Sequence, residues 1–326
     1  MKNFILNLQM FAADVTPINV TTQSGMSPTM KTFYDTALLE NSRETQIFTQ
    51  FGEKQPMNGN KVEWRKFNTF AKAMTPLQEG VIPTGQTFGM TKIEGNISQH
   101  GDFTAVSDRL ELESYDDVIF GATEEMGAAE GETYDTLTRN ILVAGNSVMY
   151  CPNGDTEVKA RENIVKACIL TPDVVHRAAT WLKKNKAPKI DGSYVALIHP
   201  SVAYDLTSTD EWKDVHKYSD AKTIFKGEIG ELRGVRFIET TNAKIWKDGD
   251  VAVYATLFLG SKAFGILDPQ GEGTEMIIKT KEQIGGPLNQ FSTIGYKFCH
   301  GAKILYQERM LRVESSSFFG DVDEAN

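Results

Sequence analysis

The sequence predicts a mixed α+β protein in which an extended hairpin, a long helix and a strand-rich α/β region follow one another. Three observations support this fold class. Polar residues and glycines separate strand-like fragments over 52–108, apolar residues recur at steps of three and four over 115–149, and strands alternate with short helices from residue 171 onwards. At 326 residues the chain is long enough for two domains and a sizeable core.

The composition is that of a folded, mildly acidic protein. Hydrophobic residues make up 40% and charged residues 24% of the chain, which excludes disordered, collagen-like and coiled-coil classes for most of its length. The formal net charge of -9 argues against a protein whose work is to grip nucleic acid, since that work requires clustered Lys and Arg. It is compatible with enclosing nucleic acid, because a mildly acidic wall lets DNA slide without sticking.

The N-terminal 51 residues predict an arm followed by a helix. The first apolar stretch is interrupted by Asn and Gln, so we expect a sticky tail of a cytosolic product instead of a signal peptide or membrane span. Residues 13–27 are rich in Thr, Ser, Asn and Gly and predict an extended arm. Ser27 and Pro28 then indicate a helix start, and apolar residues continue at helical spacing to about Leu39.

The segment 52–108 predicts a hairpin that cannot form a core of its own. Lys61–Arg65 alternates as a strand does, and strand-like fragments follow at Thr87–Ile93 and Phe103–Val106 among many glycines. A long structureless loop inside a domain is unusual, and a lone two-stranded hairpin is marginal in water. We therefore expect this hairpin to lie on a neighbouring subunit.

The segment 115–149 predicts a single helix about 50 Å long at ~1.5 Å per residue. Ser114 and Asp117 resemble a capping box at its start. Four glycines in this stretch weaken the isolated helix by up to ~1 kcal/mol each, so packing along its length must hold it. The residues expected to pack are Ala122, Met126, Leu137, Ile141 and Val148.

From residue 171 the chain alternates between helices and strands. Thr171-Pro172-Asp173 indicates a helix start, and that helix ends in a lysine run at 183–186. The lysines are most simply favourable charges at a helix C-terminus, with nucleic-acid contact as the minor alternative. Predicted strands follow at 194–198, 232–239, 251–259, 263–267 and 275–279, and the stretch 293–314 holds strand-like runs that could span a sheet twice.

Residues that could carry chemistry are few and scattered. Cys151, Cys168 and Cys299 are odd in number and widely spaced, which predicts buried thiols and neither a disulfide framework nor a metal site. The sequence holds no phosphate loop, zinc-binding helix motif or nucleophile elbow. His199 follows a predicted buried strand and precedes Pro200, where an α/β enzyme could hold a base, but a structural histidine is favoured. We predict no catalytic residue, cofactor or metal.

Three stretches resemble the major capsid proteins of tailed bacteriophages, in the group related to the capsid protein of an N4-like phage. They are residues 196–206 (ALIHPSVAYDL), residues 227–240 (GEIGELRGVRFIET), and residues 286–290 (GPLNQ) running into 295–297 and 302–305. The opening LNLQMFA at 6–12 is similar to the start of capsid proteins of phages of Gram-positive bacteria. Together these stretches cover most of 170–314 in the order found in that family.

The resemblance implies the Hong Kong 97-type capsid fold, with an N-terminal arm, extended hairpin loop, long spine helix, peripheral sheet and axial α/β domain. The corresponding expected divisions are an N-terminal arm and helix (1–51), the hairpin loop (52–108), the spine helix and peripheral domain (109–165), the axial domain (166–270), and the return strands and C-terminal tail (271–326). The covalent Lys–Asn cross-link of the fold's namesake cannot be located in this sequence.

The function implied is a structural one: self-assembly into an icosahedral head shell that encloses phage DNA. Expected partners are further copies of the chain in hexamers and pentamers, a portal protein, a separate scaffolding protein and a decoration protein. Assembly would take place in the host cytoplasm and the product would be the virion. Two alternatives are a nanocompartment shell of the encapsulin kind and, less favoured, an α/β enzyme. The candidate contacts between subunits are Phe4, Leu8, Phe11, Trp64, Phe88, Met90 and Ile93.

Overall fold

The structure is a computed structural model in which sixteen strands and six α-helices are described. The described residues are 18–19, 46–57, 61–68, 70–82, 84–114, 118–217, 228–248, 251–269, 275–284, 288–320 and 323–326. The strands are β1 (Ile18–Asn19), β2 (Glu53–Met57), β3 (Lys61–Phe67), β4 (Met90–Asn96), β5 (Ser98–Ser107), β6 (Val148–Tyr150), β7 (Tyr194–Ile198), β8 (Glu228–Leu232), β9 (Val235–Glu239), β10 (Ile245–Asp248), β11 (Val251–Leu259), β12 (Phe264–Pro269), β13 (Glu275–Lys279), β14 (Phe291–His300), β15 (Ala302–Ile304) and β16 (Met310–Ser315). The α-helices are α1 (Asp108–Glu113), α2 (Val118–Val143), α3 (Pro172–Lys184), α4 (Pro200–Thr207), α5 (Asp210–Lys217) and α6 (Lys281–Ile284).

The chain divides into two compact units, and each unit gathers separate stretches of sequence. The first comprises 1–43, 99–133 and 272–299, and the second comprises 44–98, 134–271 and 300–326. The predicted helix between Pro28 and Leu39, and the candidate contacts Phe4, Leu8 and Phe11, lie outside the described residues. The predictions made for them therefore stay predictions.

The first unit contains a four-stranded sheet in the order β1-β5-β14-β13. Helix α1 follows β5 directly, and the hydroxyl of Ser107 accepts a hydrogen bond from the Leu110 amide at 3.2 Å. Ser114 ends α1 with its amide on the Leu110 carbonyl. The predicted capping box of Ser114 and Asp117 reaches into 115–117, outside the described residues, and stays a prediction. A small core in this unit consists of Val106, Leu110 and Ile294, with Ala122 and Met126 packed against it.

The second unit is built on a seven-stranded sheet in the order β6-β16-β11-β7-β9-β8, with β10 paired to β11. Every residue of β7 is buried, so helices or loops cover both faces of the sheet centre. Helix α3 begins at Pro172 as the sequence predicts and buries one apolar stripe on a large core. A three-stranded sheet of β15-β12-β2 and the hairpin β3-β4 complete this unit.

Helix α2 ends six residues before the predicted end, at Val143. The prediction that Val148 packs as part of the helix is wrong, because Val148 opens β6 and pairs in parallel with Arg312 of β16. The helical spacing of apolar residues continues past Val143, but Gly145 begins the break and strand pairing with β16 takes over from Val148. A Cβ on Gly145 would stand 2.5 Å from the Met310 methyl, so a larger residue here would have to displace the buried Met310 side chain.

The buried face of the second half of α2 is more polar than the predicted stripe. Leu137 and Ile141 are half-buried, whereas Leu142 is completely buried. Val143 is buried beside it, and the remaining buried positions are the polar residues Asp135, Thr138 and Arg139. They are satisfied by specific partners: Asp135 accepts the Phe48 amide at 2.8 Å and the Asn242 amide group at 3.3 Å, and Arg139 donates to the Asn242 carbonyl at 3.0 Å. The Thr138 hydroxyl lies 2.9 Å from the His300 ring nitrogen Nε2.

Two strand predictions are corrected by turn chemistry and by long-range pairing. The predicted strand 232–239 is a hairpin, in which Arg233 (φ 55°) and Gly234 (φ 81°) form the turn between β8 and β9. The stretch 293–314 does not cross one sheet twice, because β14 belongs to the four-stranded sheet and β16 to the seven-stranded one. The three cysteines are free thiols, and Cys151 and Cys168 are buried.

A buried ionic cluster joins β16 to the loop before α3. Glu314 is completely buried and accepts two hydrogen bonds of 2.7 Å from the Arg161 guanidinium. The Arg312 Nε atom lies 2.8 Å from the same carboxylate. The guanidinium of Arg161 also stacks on Trp246, 3.6 Å from the ring centroid. Because the charges are paired inside the protein, this cluster fixes the position of the loop.

Candidate inter-subunit surface

Strands β3 and β4 form an antiparallel hairpin whose base is anchored to the second unit. Their register runs from Lys61 opposite Asn96 to Phe67 opposite Met90. Val62, Trp64 and Lys66 are half-buried while the residues between them are exposed, so one face of β3 is covered. The hairpin base therefore has a definite inner face and a definite outer face.

Trp64 lies on the inner face and contacts its own chain. A Cβ on Gly265 would stand 2.8 Å from Trp64 Cζ2, so the indole lies directly on the β12 backbone where only glycine leaves room. Its cross-strand partner Ile93 is also half-buried. The Lys66 ammonium lies 4.4 Å from the Tyr306 ring centroid on the same side. Most of the Trp64 ring is thus occupied within the subunit.

The outer face of the hairpin carries an ion-pair cluster at its centre. The Lys92 ammonium contacts the Glu63 carboxylate across the strands and the Glu94 carboxylate two residues on, the latter at 2.8 Å. These hydrogen bonds raise the pKa of Lys92 and lower the pKa of Glu94. All three groups are open to solvent, so the cluster favours the hairpin register but contributes little stability.

The tip of the hairpin is a connection, residues 67–90, that we call the arm. It is distinct from the N-terminal arm predicted from the sequence. One backbone bond from Asn68 to the Gly89 carbonyl (2.9 Å) and one side-chain bond from Gln86 to the Ala71 carbonyl (2.8 Å) join its two halves. Phe88 lies against Phe67 and Phe70, with ring centroids 5.0 and 5.7 Å apart. These contacts shape the arm but bury none of the three rings.

The arm exposes large apolar side chains over its whole described length. Ile82 is 94% exposed and Met74 is 82% exposed. Isolated exposed apolar residues are ordinary, but a contiguous set of them marks an interaction surface. The complete set is Phe67, Phe70, Met74, Leu77, Val81, Ile82, Phe88 and Met90.

The structure separates the predicted contact residues into two groups. Phe88 and Met90 are exposed on the arm, next to Phe67, whereas Trp64 and Ile93 form a pair on the inner face of the hairpin. Six arm residues were missed by sequence reasoning. The available signal was a run of large apolar residues separated by Pro, Gly and Thr without the alternation of a half-buried strand.

The described residues offer little that resembles a catalytic centre. His199 precedes α4, where its Nδ1 accepts the Ser201 amide at 3.2 Å and its ring lies 4.9 Å from the Tyr254 ring. Tyr254 donates to Asp323, and burial raises the pKa of its hydroxyl. No group of three or more His, Cys, Asp or Glu residues in the described part of the chain could hold a metal ion. None of the described helices is long and apolar enough to cross a membrane.

Comparison with known proteins identifies the protein family that has this fold. The profile of the phage capsid protein family matches residues 99–266, just over half of the chain. The chain belongs to the phage capsid protein family. It is therefore a structural capsid protein and not an enzyme. No curated protein sequence matches it.

Solved capsid structures share the fold of this capsid protein at low sequence identity. The capsid of cyanophage P-SCSP1u matches with a TM-score of 0.66 at 14% identity, covering 94% of this chain and 100% of that one. The capsid of Ralstonia phage GP4 matches with a TM-score of 0.66 at 15% identity, covering 89% and 96%. The SrpI encapsulin of Synechococcus elongatus PCC 7942 matches with a TM-score of 0.59 at 11% identity, covering 94% and 99%. The architecture is thus the Hong Kong 97-type capsid fold implied by the sequence resemblance.

Proposed function

We propose that copies of this capsid protein assemble into a closed icosahedral shell that holds phage DNA, with the arm of each copy lying on a second copy. The observation that carries the proposal is the arm itself: eight large apolar side chains exposed on a connection that one subunit cannot bury. Contacts in which an arm on one copy meets a different surface on the next are heterologous, and they generate closed rings when the rotation between neighbouring copies closes. Specific interfaces bury at least ~1,000 Å², which an arm of this length can supply.

The finer parts of the proposal rest on the sequence resemblance. We place the chain near the N4-like capsid group, with hexamers and pentamers as building units and assembly in the host cytoplasm. A portal protein, a separate scaffolding protein and a decoration protein are the expected additional partners. Phe4, Leu8 and Phe11 stay candidate contacts of the N-terminal arm, and Trp64 and Ile93 candidate contacts at the hairpin base.

An encapsulin-like nanocompartment is the second candidate, and the SrpI match favours it. The fold is compatible with both shells, so the content of the particle distinguishes them. Purified particles from infected or induced cells should contain double-stranded DNA on the phage reading and a protein cargo on the encapsulin reading. The family match supports the phage reading.

Substitution within the arm tests the proposed assembly. Phe70→Ser with Phe88→Ser removes two exposed rings, so subunit stability should change little while shell yield falls at least tenfold. The matched control is Gln78→Ser with Thr84→Ser, which places the same residue at two exposed polar positions of the same arm. Shell yield is measured by sedimentation and light scattering, and subunit folding by thermal melting. Equal shell yields from the aromatic variant and the control would show that the arm is not part of the interface between subunits.

A further inference from the structure

The loop that follows helix α3 carries a concentration of positive charge that is unusual in this acidic chain. Lys183, Lys184, Lys186 and Lys189 lie within residues 183–189, which we call the lysine loop, and no acidic residue lies between them. All four side chains are exposed. The chain as a whole has a formal net charge of -9, so this stretch departs from its surroundings.

The backbone of the lysine loop is held in place at several points. Lys186 adopts a left-handed conformation (φ 54°) that turns the chain away from the helix axis. The Ala187 carbonyl accepts a hydrogen bond from the buried Tyr194 hydroxyl at 3.0 Å. The Pro188 carbonyl accepts the Ser261 amide at 2.8 Å. The lysines are therefore presented from a fixed frame and not from a free tail.

The fold brings further cations next to the loop. A Cβ on Gly234 would stand 3.9 Å from the Lys189 ammonium, which places Lys189 beside the Arg233 turn. Lys262 follows the Ser261 anchor, and Arg309 donates to the Ser261 carbonyl at 3.3 Å. The carboxylates in this region are Glu211, which pairs with Arg233, Glu53, which pairs with Lys262 at 3.0 Å, Glu308, which pairs with Lys66 at 3.5 Å, and the exposed Asp191. The cations outnumber them.

Helix electrostatics explains only half of the loop. Lys183 and Lys184 lie in the last turn of α3, where they face the negative end of the helix dipole. Lys186 and Lys189 lie beyond the helix end, and like charges gathered there repel one another. A surface that keeps them together is suited to a partner that brings dense negative charge.

The chemistry of the patch favours a phosphate backbone over a protein partner. Among the described residues, none of the exposed large apolar side chains lies in the lysine loop or at 233–234, 261–262 or 309. Protein interfaces have an apolar centre and are depleted in Lys. Contacts to nucleic-acid phosphates use Lys as a point charge and need no apolar centre.

We propose that the lysine loop, with Lys262 and Arg309 beside it, binds the phosphodiester backbone of double-stranded DNA without reading its sequence. The inference rests on the proposed function, since the DNA enclosed by the shell supplies the ligand. It adds a defined contact point to a subunit whose formal net charge is -9. The contact is weak and salt-dependent, so it holds DNA near the wall without immobilising it.

The test measures DNA binding by unassembled full-length subunits as a function of salt. The variant Lys183→Gln, Lys184→Gln, Lys186→Gln, Lys189→Gln is compared with a control, Lys159→Gln, Lys166→Gln, Lys247→Gln, Lys303→Gln, which removes the same charge from exposed positions elsewhere. Loss of four phosphate contacts lowers the slope of log K against log salt by about 3.6. Raising the salt from 50 to 200 mM should therefore weaken DNA binding by a factor on the order of 100 less for the loop variant than for the unsubstituted protein. Two duplexes of unrelated sequence should give the same slope.

The outcomes separate the lysine loop from the assembly proposal. A reduced slope in the loop variant, with the control close to the unsubstituted protein, supports the inference. Unchanged DNA binding in the loop variant, or equal losses in both variants, overturns it. If the loop variant keeps its DNA binding but loses shell assembly, the loop contacts protein and the inference fails. Failure of the unsubstituted chain to form shells contradicts the proposed function alone, because subunit binding to DNA is measured independently.

Discussion

Two adjacent residues of helix α2 allow a direct test of which face of this helix the subunit buries. Leu142 is completely buried in the second unit, in a cluster with Val195, Leu257 and Met310. Ile141, its neighbour in sequence, is half-buried. Truncation to Ala removes three carbons from either side chain, so the two variants differ mainly in burial and not in chemistry.

The expected magnitudes follow from that difference. Leu142→Ala loses about 2.4 kcal/mol of transfer free energy at ~0.8 kcal/mol per methylene, and the cavity left behind raises the total to roughly 3–5 kcal/mol. Ile141→Ala loses about half of the transfer term and leaves no closed cavity, so its cost is about 1–1.5 kcal/mol. Urea unfolding of the unassembled subunit measures both free energies of unfolding, and the slope should stay constant across the variants.

The comparison would contradict the described helix packing if Ile141→Ala cost as much as Leu142→Ala or more. That result would support the helix face predicted from apolar spacing, in which Ile141 and Leu137 are the buried residues. A large loss of shell yield in Ile141→Ala with normal subunit stability has a different meaning, because it would place the half-buried face in an interface between subunits.

Three further predictions concern buried polar groups. Glu314→Gln leaves two arginines without their carboxylate and should lower the free energy of unfolding by about 2–4 kcal/mol, less than a fully buried pair because Arg161 is 30% exposed; thermal melting that matches the unsubstituted protein would refute this. Burial raises the pKa of Asp135 above its usual 3.8 in spite of its hydrogen bond from the Phe48 amide. The folded state therefore holds this proton more tightly. The free energy of unfolding of the unsubstituted protein, minus that of Asp135→Asn, should fall as the pH rises from about 4 through the folded pKa. A value that grows over this range would contradict the raised pKa of Asp135. His199→Ala should cost on the order of 1–3 kcal/mol through the lost cap and ring contact, and a catalytic activity lost in that variant with its fold intact would overturn the structural role.

Local sequence signals predicted the elements whose ends are defined by local chemistry. Helix α3 begins at Pro172, and β11 and β13 have the predicted bounds, because turn residues flank them and apolar residues fill them. The end of α2 could not be predicted in this way. Apolar spacing continues through Val148, and the competing structure is a parallel pairing with β16, which lies far away in sequence.

The candidate surfaces show the same limit. The absence of a core in 52–108 was visible in composition, and it predicted an exposed hairpin. Which side of the hairpin faces the subunit was not visible, because Trp64 finds its place on the backbone of Gly265. The lysine run at 183–186 was visible as a helix end, but its joining with Lys262 depends on the Pro188–Ser261 hydrogen bond between distant segments.

The central claim is that the arm of one copy lies on another copy within a closed shell. A cryo-electron microscopy reconstruction of particles formed by the full-length chain tests it most directly. We expect closed icosahedral particles in which residues 67–90 contact a neighbouring subunit and lose most of their exposed area. Particles in which Met74 and Ile82 stay open to solvent, or a chain that remains monomeric when supplied with a scaffolding protein, would contradict the account.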